Sequence, residues 1–153
     1  MSPRINHFAA APELLQPMLD MEERLHASEL EHSLIELVKL RVSQINGCAY
    51  CIHMHTHDAR ANGETEDRLH LLNAWHESSL YSVRERAALA WAETLTRIET
   101  SRAPDNTYEE MAAQFSERDQ VALTLVITTI NAWNRLAVGF AMPHPVDNKA
   151  TAA

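Results

Sequence analysis

The sequence contains very little glycine, three residues in a chain of 153. Hairpins and tight β-turns use glycine because several of their positions require a positive φ, so a fold built from β-hairpins is not expected. Alanine, leucine, glutamate and arginine, which favour helices, are abundant. The composition therefore predicts an all-α fold, and the length corresponds to one domain.

The chain also lacks an excess of positive charge, since its net charge is −8 with the histidines neutral. A basic surface for phosphate groups is therefore not expected, which argues against nucleic acid and anionic membranes as partners. The first 30 residues lack an apolar run of signal-peptide length because prolines and acidic residues interrupt them. No transmembrane span is predicted either, and a cytoplasmic location is the expectation.

The first half of the chain divides into an arm and three helices. Residues 1–11 are expected to form an extended or loosely packed arm, and residues 12–142 the domain. A helix is predicted from Pro12 to about His26, with Pro17 able to kink it. Ser28 and Glu31 form a capping-box pattern, which predicts the start of a helix that ends at 46–47. The following helix should begin at Cys48 and end at 62–63.

The second half shows similar signals. Thr65, Ser82 and Ser116 are predicted N-caps, residues 100–107 a loop, and residues 108–115 a short helix. Residues 121–140 are apolar on nearly every side and too long for a strand, so they predict a helix covered by this domain or by a neighbouring subunit. Residues 143–153 are expected to form a tail. Trp75, Trp91 and Trp133 are expected in the core or at an interface.

The chain has only two cysteines, Cys48 and Cys51, and His55 follows the second by four residues. In a helix, at roughly 100° per residue, these three side chains lie within about 60° of one another on one face. A close cysteine pair in a reducing compartment is more often catalytic or metal-binding than structural. The pattern therefore indicates a thiol redox site.

Three features could lower the pKa of a thiol here, which its reactivity requires. The N-terminus of the helix after Gly47 offers N–H donors and a positive dipole end to Cys48 and Cys51. His55 could accept the proton of Cys51, and Glu36 could orient His55 if their two helices pack together. One cysteine could then attack a peroxide, and the other could condense with the sulfenic acid to give a disulfide.

Other interpretations of the same residues remain open. A disulfide that closes so short a loop would stabilise the fold by only about 2 kcal/mol. A zinc site could use the two cysteines and His55 with His53 or His57, although these two point away from that face. Helical periodicity alone predicts a solvated Glu36, and it places Tyr50 on the far side of its helix from His55. The remaining histidines are expected at the surface or at helix caps.

The spacing Glu-x11-Cys-x2-Cys-x3-His resembles that of alkylhydroperoxidase D-like proteins in the carboxymuconolactone decarboxylase superfamily. Residues 46–55, NGCAYCIHMH, and residues 130–135, INAWNR, are similar to the same family. The resemblance covers about residues 10–140. It implies an all-helical bundle of six to eight helices that assembles into homo-oligomers such as trimers or hexamers.

The resemblance also implies a peroxidase or disulfide reductase that needs no bound cofactor, but needs a thioredoxin-like or lipoyl protein as reductant. Cys51 would then be the peroxidatic and Cys48 the resolving cysteine, with Glu36 and His55 as the proton relay. The family pattern has a further relay histidine where this chain has Tyr50. Superfamily members that decarboxylate lactones generally lack the cysteine pair, so a lyase is the weaker alternative. A redox-responsive module without turnover is the third.

Overall fold

The computed structural model describes residues 2–145, and within them every regular element is a helix, with no strand. The helices are α1 (His7–Ala10), α2 (Pro12–His26), α3 (His32–Asn46), α4 (Ala49–Ala61), α5 (Glu66–Leu71), a 3₁₀ segment (Leu72–Glu77), α6 (Val83–Thr96), α7 (Ile98–Ser101), α8 (Asp105–Ala112) and α9 (Glu117–Gly139). The all-α prediction is therefore confirmed, and seven of the nine α-helices in this part of the chain span more than one turn.

The central element is α3, in which every residue from 34 to 43 is buried. It packs against α4, α6 and α9. A helix that neighbours enclose on all sides must bury its polar residues too, and α3 buries Glu36, Lys39 and Arg41 along with its leucines and valines. Each of these three groups pairs with an oppositely charged or titratable side chain on another helix.

The apolar core lies on two sides of α3. The larger cluster joins α3 to α6 and α9 and includes Val38, Trp91 and Ile127. The smaller cluster joins the opposite side of α3 to the region of α5 and the 3₁₀ segment, through Leu37 and Trp75. Together these clusters fix the orientation of α3, and with it the side chains that α3 contributes to the site described below.

The last helix, α9, spans 23 residues, and its most apolar 18-residue window has a mean hydropathy of 1.3, which by length and composition would suit a membrane span. In this fold, however, it is a core helix, because it packs against α2, α3, α6 and α8 and 44% of its most apolar window is buried. Its fully buried Asn134 donates a hydrogen bond to Ser43 Oγ at 3.1 Å and accepts one from Asn46 at 2.9 Å. The prediction of a helix over residues 121–140 is confirmed.

Most predicted helix ends are confirmed. Gly47 terminates α3 in the left-handed conformation with φ 66°, and Thr65 and Ser116 cap α5 and α9. At the start of α6, Ser82 and Glu85 form both hydrogen bonds of a capping box. Pro17 lies within α2, and the helix continues through it.

Two predicted starts are wrong. The first is the capping box at Ser28, because α3 begins only at His32 and Ser28 Oγ donates to the carbonyl of Leu25 at 2.6 Å, closing the end of α2. The second is the short helix at 108–115. It begins at Asp105 because Pro104, whose ring fixes φ near −65°, occupies the N-cap position. Residues 98–101 form a further single turn, so the loop predicted at 100–107 shortens to 102–104.

The N-terminal arm is more ordered than predicted. Asn6 caps the single turn of α1 by accepting a hydrogen bond from the Ala9 N–H at 3.1 Å. Arg4 bonds the carbonyls of Gly139 and Phe140 at the end of α9, which holds the arm against the domain. His7 is buried and stacks on Phe140, so the prediction of a surface position for this histidine is wrong. The predicted tail lies outside the described residues from 146 onward.

Candidate active site

The cysteine pair lies at the junction of α3 and α4. Because Gly47 turns the chain with a positive φ, Cys48 becomes the N-cap residue of α4. The Cys48 Sγ accepts a hydrogen bond from the Cys51 N–H at 3.3 Å, which satisfies one of the free donors at the helix start. The sequence prediction that α4 begins at Cys48 is confirmed.

Cys48 and Cys51 are joined by a disulfide with a Cα–Cα distance of 5.3 Å. Both residues are almost completely buried, and Ala137 of α9 packs against them with Tyr50 and Met142. Cys51 lines the neighbouring cavity, whereas Cys48 does not. The two cysteines are therefore not equivalent, because a ligand in the cavity would meet Cys51 first.

His55 lies one turn after Cys51 and forms a hydrogen bond between its Nδ1 and Glu36 Oε2 at 2.8 Å. Both residues are only 4% exposed. The prediction from periodicity that Glu36 is solvated is therefore wrong. Periodicity assumes one buried face, whereas neighbouring helices cover α3 on every side. The other ring nitrogen, His55 Nε2, is buried without a hydrogen-bond partner among the described residues.

The environment of Glu36 favours its charged form. Burial alone would raise the pKa of this carboxyl, but the hydrogen bond and charge of His55, together with the charge of Lys39, outweigh burial and lower the pKa below its ordinary value of 4.5. An ionised Glu36 accepts the hydrogen bond from His55 Nδ1–H. That arrangement leaves the lone pair on Nε2, where the ring can act as a base.

Cys51, His55 and Glu36 line one cavity of about 440 Å³. Its walls are largely apolar and come from α1, α4, α9 and the residues after α9: Phe8, Met54, Ile130, Trp133, Ala137 and Met142. The polar groups besides the Glu36–His55 pair include Glu22, His26 and Lys39. A cavity of this volume, with few polar groups and a reactive side chain, is typical of a small-molecule site.

Tyr50 is half-buried, lines the same cavity as His55 and packs beside the disulfide. Five positions separate the two residues along α4, which places their side chains on different faces of that helix. The cavity therefore contacts more than one face of α4.

Several residues that line the cavity were not predicted from the sequence. Lys39 follows Glu36 by three positions, so a buried Glu36 would have signalled a neighbouring buried Lys39. Glu22, Phe8 and Trp133 reach the cavity from distant parts of the chain, and periodicity contains no such information. His7 and His26, both expected at the surface or at caps, also line the cavity.

Two residue sets bear on metal binding. Glu36, His55 and Asp58 each place a possible ligand atom within 4.8 Å of the others. Within this set, His55 Nδ1 already forms a hydrogen bond with Glu36 Oε2 at 2.8 Å. In the alternative zinc set, the cysteine sulfurs form a disulfide, and His53 and His57 are exposed and do not line the cavity.

Comparison with known proteins assigns the chain to a family. The family model described as carboxymuconolactone decarboxylase family matches residues 12–94. YdfG, an uncharacterized protein of Bacillus subtilis (strain 168), is 45% identical over 138 residues, which cover 90% of this chain and 94% of that protein.

Solved structures agree with this result. A protein of unknown function from Agrobacterium tumefaciens, suggested to be the antioxidant defence protein AhpD, has a TM-score of 0.93 and 42% identity, covering 95% of this chain and 100% of its own. An uncharacterized peroxidase-related protein from Silicibacter sp. TM1040 has a TM-score of 0.77 and 26% identity, covering 88% of this chain and 71% of its own. The chain therefore belongs to the carboxymuconolactone decarboxylase family and is alkylhydroperoxidase D-like.

Proposed function

We propose that this protein is a thiol-dependent peroxidase, or a closely related disulfide oxidoreductase, that acts through Cys51 and Cys48. One observation carries the proposal: a single apolar cavity is lined both by Cys51 of a disulfide pair and by a buried Glu36–His55 pair. Thiol chemistry on a peroxide needs a reactive sulfur, a base and a second thiol close by, and this site brings all three together.

In the first step the Cys51 thiol of the reduced protein loses its proton to His55 Nε2, while Glu36 stabilises the imidazolium that forms. The thiolate attacks the terminal oxygen of a hydroperoxide, and the O–O bond breaks. The leaving alkoxide takes the proton and departs as an alcohol. Cys51 is oxidised to a sulfenic acid, and the peroxide is reduced by two electrons.

In the second step the Cys48 thiol attacks the sulfur of the Cys51 sulfenic acid, and water is released as the disulfide forms. The short Cα–Cα distance of 5.3 Å lets the two sulfurs meet without a rearrangement of the backbone. An external dithiol, carried by a thioredoxin-like or lipoyl protein, then returns both cysteines to thiols by disulfide exchange. A cytoplasmic location would supply such a reductant.

Tyr50 occupies the place of the relay histidine in the family pattern. A phenol, unlike an imidazole, has no basic nitrogen that can accept the proton of a thiol. It can, however, donate a hydrogen bond into the cavity. We assign Tyr50 this supporting role, and the relay to Glu36 and His55 alone.

We also propose that the chain forms homo-oligomers, trimers or hexamers. Several large apolar side chains are exposed on the surface of the described part of the chain, among them Leu14 on α2, Val83 on α6, and Val121 and Val138 on α9. Contacts between subunits would cover these side chains. Sedimentation of the purified protein would measure the assembly size.

The test is peroxide consumption by the reduced protein with a dithiol reductant. Cys51→Ser should abolish turnover, and Cys48→Ser should allow a single turnover that leaves a sulfenic acid detectable by mass spectrometry. His55→Gln should slow turnover by about 10²-fold or more. His53→Gln is the matched control, because it changes an exposed histidine on the same helix that does not line the cavity.

Three outcomes would count against the proposal. Full peroxide turnover by Cys51→Ser would contradict the proposal, and lactone decarboxylation that survives loss of both cysteines would identify a lyase. A parent protein that forms its disulfide once and never cycles with any dithiol would instead be a redox-responsive module.

A further inference from the structure

The cavity contains a buried cation that the proposed reaction does not use. Lys39 is 3% exposed, and its ammonium donates to Glu22 Oε2 of α2 at 2.5 Å. The other oxygen of Glu22 accepts a hydrogen bond from the indole N–H of Trp133 on α9 at 3.0 Å. Lys39 is thus held in the cavity by a carboxylate that is itself held by a tryptophan.

The neighbour of Lys39 on the same face of α3 is Glu36, three residues earlier. The positive charge of Lys39 is among the causes that lower the pKa of Glu36. Burial and the charge of Lys39 also lower the pKa of His26 on the adjacent helix. Lys39 therefore lies within electrostatic reach of the carboxylate that orients His55.

A second ion pair in the same protein supplies a comparison. Arg41, also on α3, binds Glu93 of α6 at 2.7 Å, and Glu93 accepts a hydrogen bond from the indole N–H of Trp75 at 2.8 Å. This arrangement repeats that of Lys39, Glu22 and Trp133: a buried cation on α3, a glutamate on a neighbouring helix and a tryptophan behind it. Neither Arg41 nor Glu93 lines the cavity.

Both ion pairs join α3 to a neighbouring helix, so each has a structural role. A buried ion pair is weak as a source of stability, because removing two charges from water costs about as much as their attraction returns. Only the Lys39 pair lies in the wall of the cavity that contains Cys51. The position of Lys39, rather than the ion pair as such, therefore needs a functional explanation.

We propose that Lys39 is a positioning residue of this site, which keeps the Glu36 carboxylate ionised and directed at His55 and is itself fixed by Glu22 and Trp133. This inference rests on the proposed chemistry of Cys51. The other titratable groups that line the cavity near the Glu36–His55 pair are His7, Glu22, His26, Tyr50 and Asp58. None of these other groups is a lysine or an arginine, so Lys39 is the only such cation among the described residues that line the cavity.

Loss of Lys39 should raise the pH at which the Cys51 thiolate forms. Without the charge of Lys39 the pKa of Glu36 rises, so a smaller fraction of this buried carboxyl is ionised to stabilise the imidazolium that forms when His55 takes the Cys51 proton. The thiolate of Cys51 then forms only at higher pH. The alkylation rate of Cys51 by iodoacetamide reports this thiolate and needs no peroxide, so it can be measured even if the protein has no peroxidase activity.

The experiment measures the alkylation rate against pH in the reduced Cys48→Ser protein, where Cys51 is the only thiol. Lys39→Met should move the midpoint upward by about one pH unit, as expected for loss of a nearby opposite charge from Glu36. Lys39→Arg keeps the positive charge, so its midpoint should lie close to that of the protein with Lys39. In a Glu36→Gln background, Lys39→Met should cause no further shift, since Lys39 acts through Glu36.

Arg41→Met is the matched control, because it removes an equivalent cation from α3 outside the cavity, and it should leave the midpoint unchanged. Should Lys39→Met fail to fold, Trp133→Phe removes the hydrogen bond to Glu22 without a change in charge. It should shift the midpoint upward by a smaller amount, whereas Trp75→Phe should not shift it.

The inference is overturned if Lys39→Met leaves the midpoint in place, if Arg41→Met shifts it equally, or if the Lys39→Met shift persists in Glu36→Gln. Persistence in that background would mean that Lys39 acts directly on the thiol. If the expected shifts occur but no peroxide is consumed, the role of Lys39 stands and the peroxidase proposal fails. If peroxide turnover is normal but the shifts do not occur, the peroxidase proposal stands and the role proposed for Lys39 fails.

Discussion

Glu36 and His55 belong to different helices and are 19 residues apart in the chain, yet their side chains meet at 2.8 Å in a site almost closed to water. We expect Glu36→Gln to lower peroxide turnover by about 10²-fold or more, because an amide cannot stabilise the imidazolium that forms in the first step. Steady-state turnover with a dithiol reductant measures this. The exposed Glu23→Gln serves as control, and equal activity in both variants would contradict the relay.

The contact between Glu36 and His55 should also make the stability of the fold depend on pH. The pKa of Glu36 is lower in the folded protein than its ordinary value of 4.5, so the carboxylate stabilises the fold fully above pH 4.5. That contribution is lost as the pH falls through the lower folded value. Urea unfolding between pH 7 and pH 3 should therefore show a steeper loss of stability in the parent than in Glu36→Gln. Parallel curves for the two proteins would contradict this prediction.

Asn134 is expected to be important for stability rather than for chemistry. Its side chain joins α9 to Ser43 and Asn46 at the end of α3, close to the start of α4. Asn134→Ala removes one hydrogen bond from each of these two groups, although Ser43 still donates to the Lys39 carbonyl and Asn46 to Asn131. Loss of the two bonds should cost about 1–3 kcal/mol of unfolding free energy. Chemical denaturation measures the loss. A change below a few tenths of a kcal/mol would mean that water replaces the amide.

Alanine substitutions at Gly47 and at Gly139 should have different effects on the stability of the fold. Gly47 ends α3 with φ 66°, a conformation that costs an alanine about 1 kcal/mol, although nothing within 4 Å would obstruct its methyl group. Gly139 is the last residue of α9 and is not in the left-handed region, so Gly139→Ala should be neutral or slightly stabilising. Thermal unfolding of both variants tests this difference, and equal destabilisation would contradict it.

The amino-acid sequence by itself determined the helical class, most helix ends and the position of the cysteine pair at the start of α4. These features depend on local chemistry: scarce glycine, a glycine that accepts a positive φ, and serine or threonine side chains that satisfy free N–H groups. Where two local signals competed, as at Ser28, the sequence did not reveal that the serine closes α2 instead of opening α3.

Tertiary structure alone decided which charged residues are buried. Periodicity predicted a solvated Glu36 because it assumes one apolar face per helix, and the role of this residue in orienting His55 depended on how the two helices pack. The packing of α4, α6 and α9 around α3 encloses Glu36, Lys39 and Arg41 together. Burial depends on contacts between distant segments, such as Lys39 with Glu22 and Glu22 with Trp133, and these contacts exist only after the helices have packed.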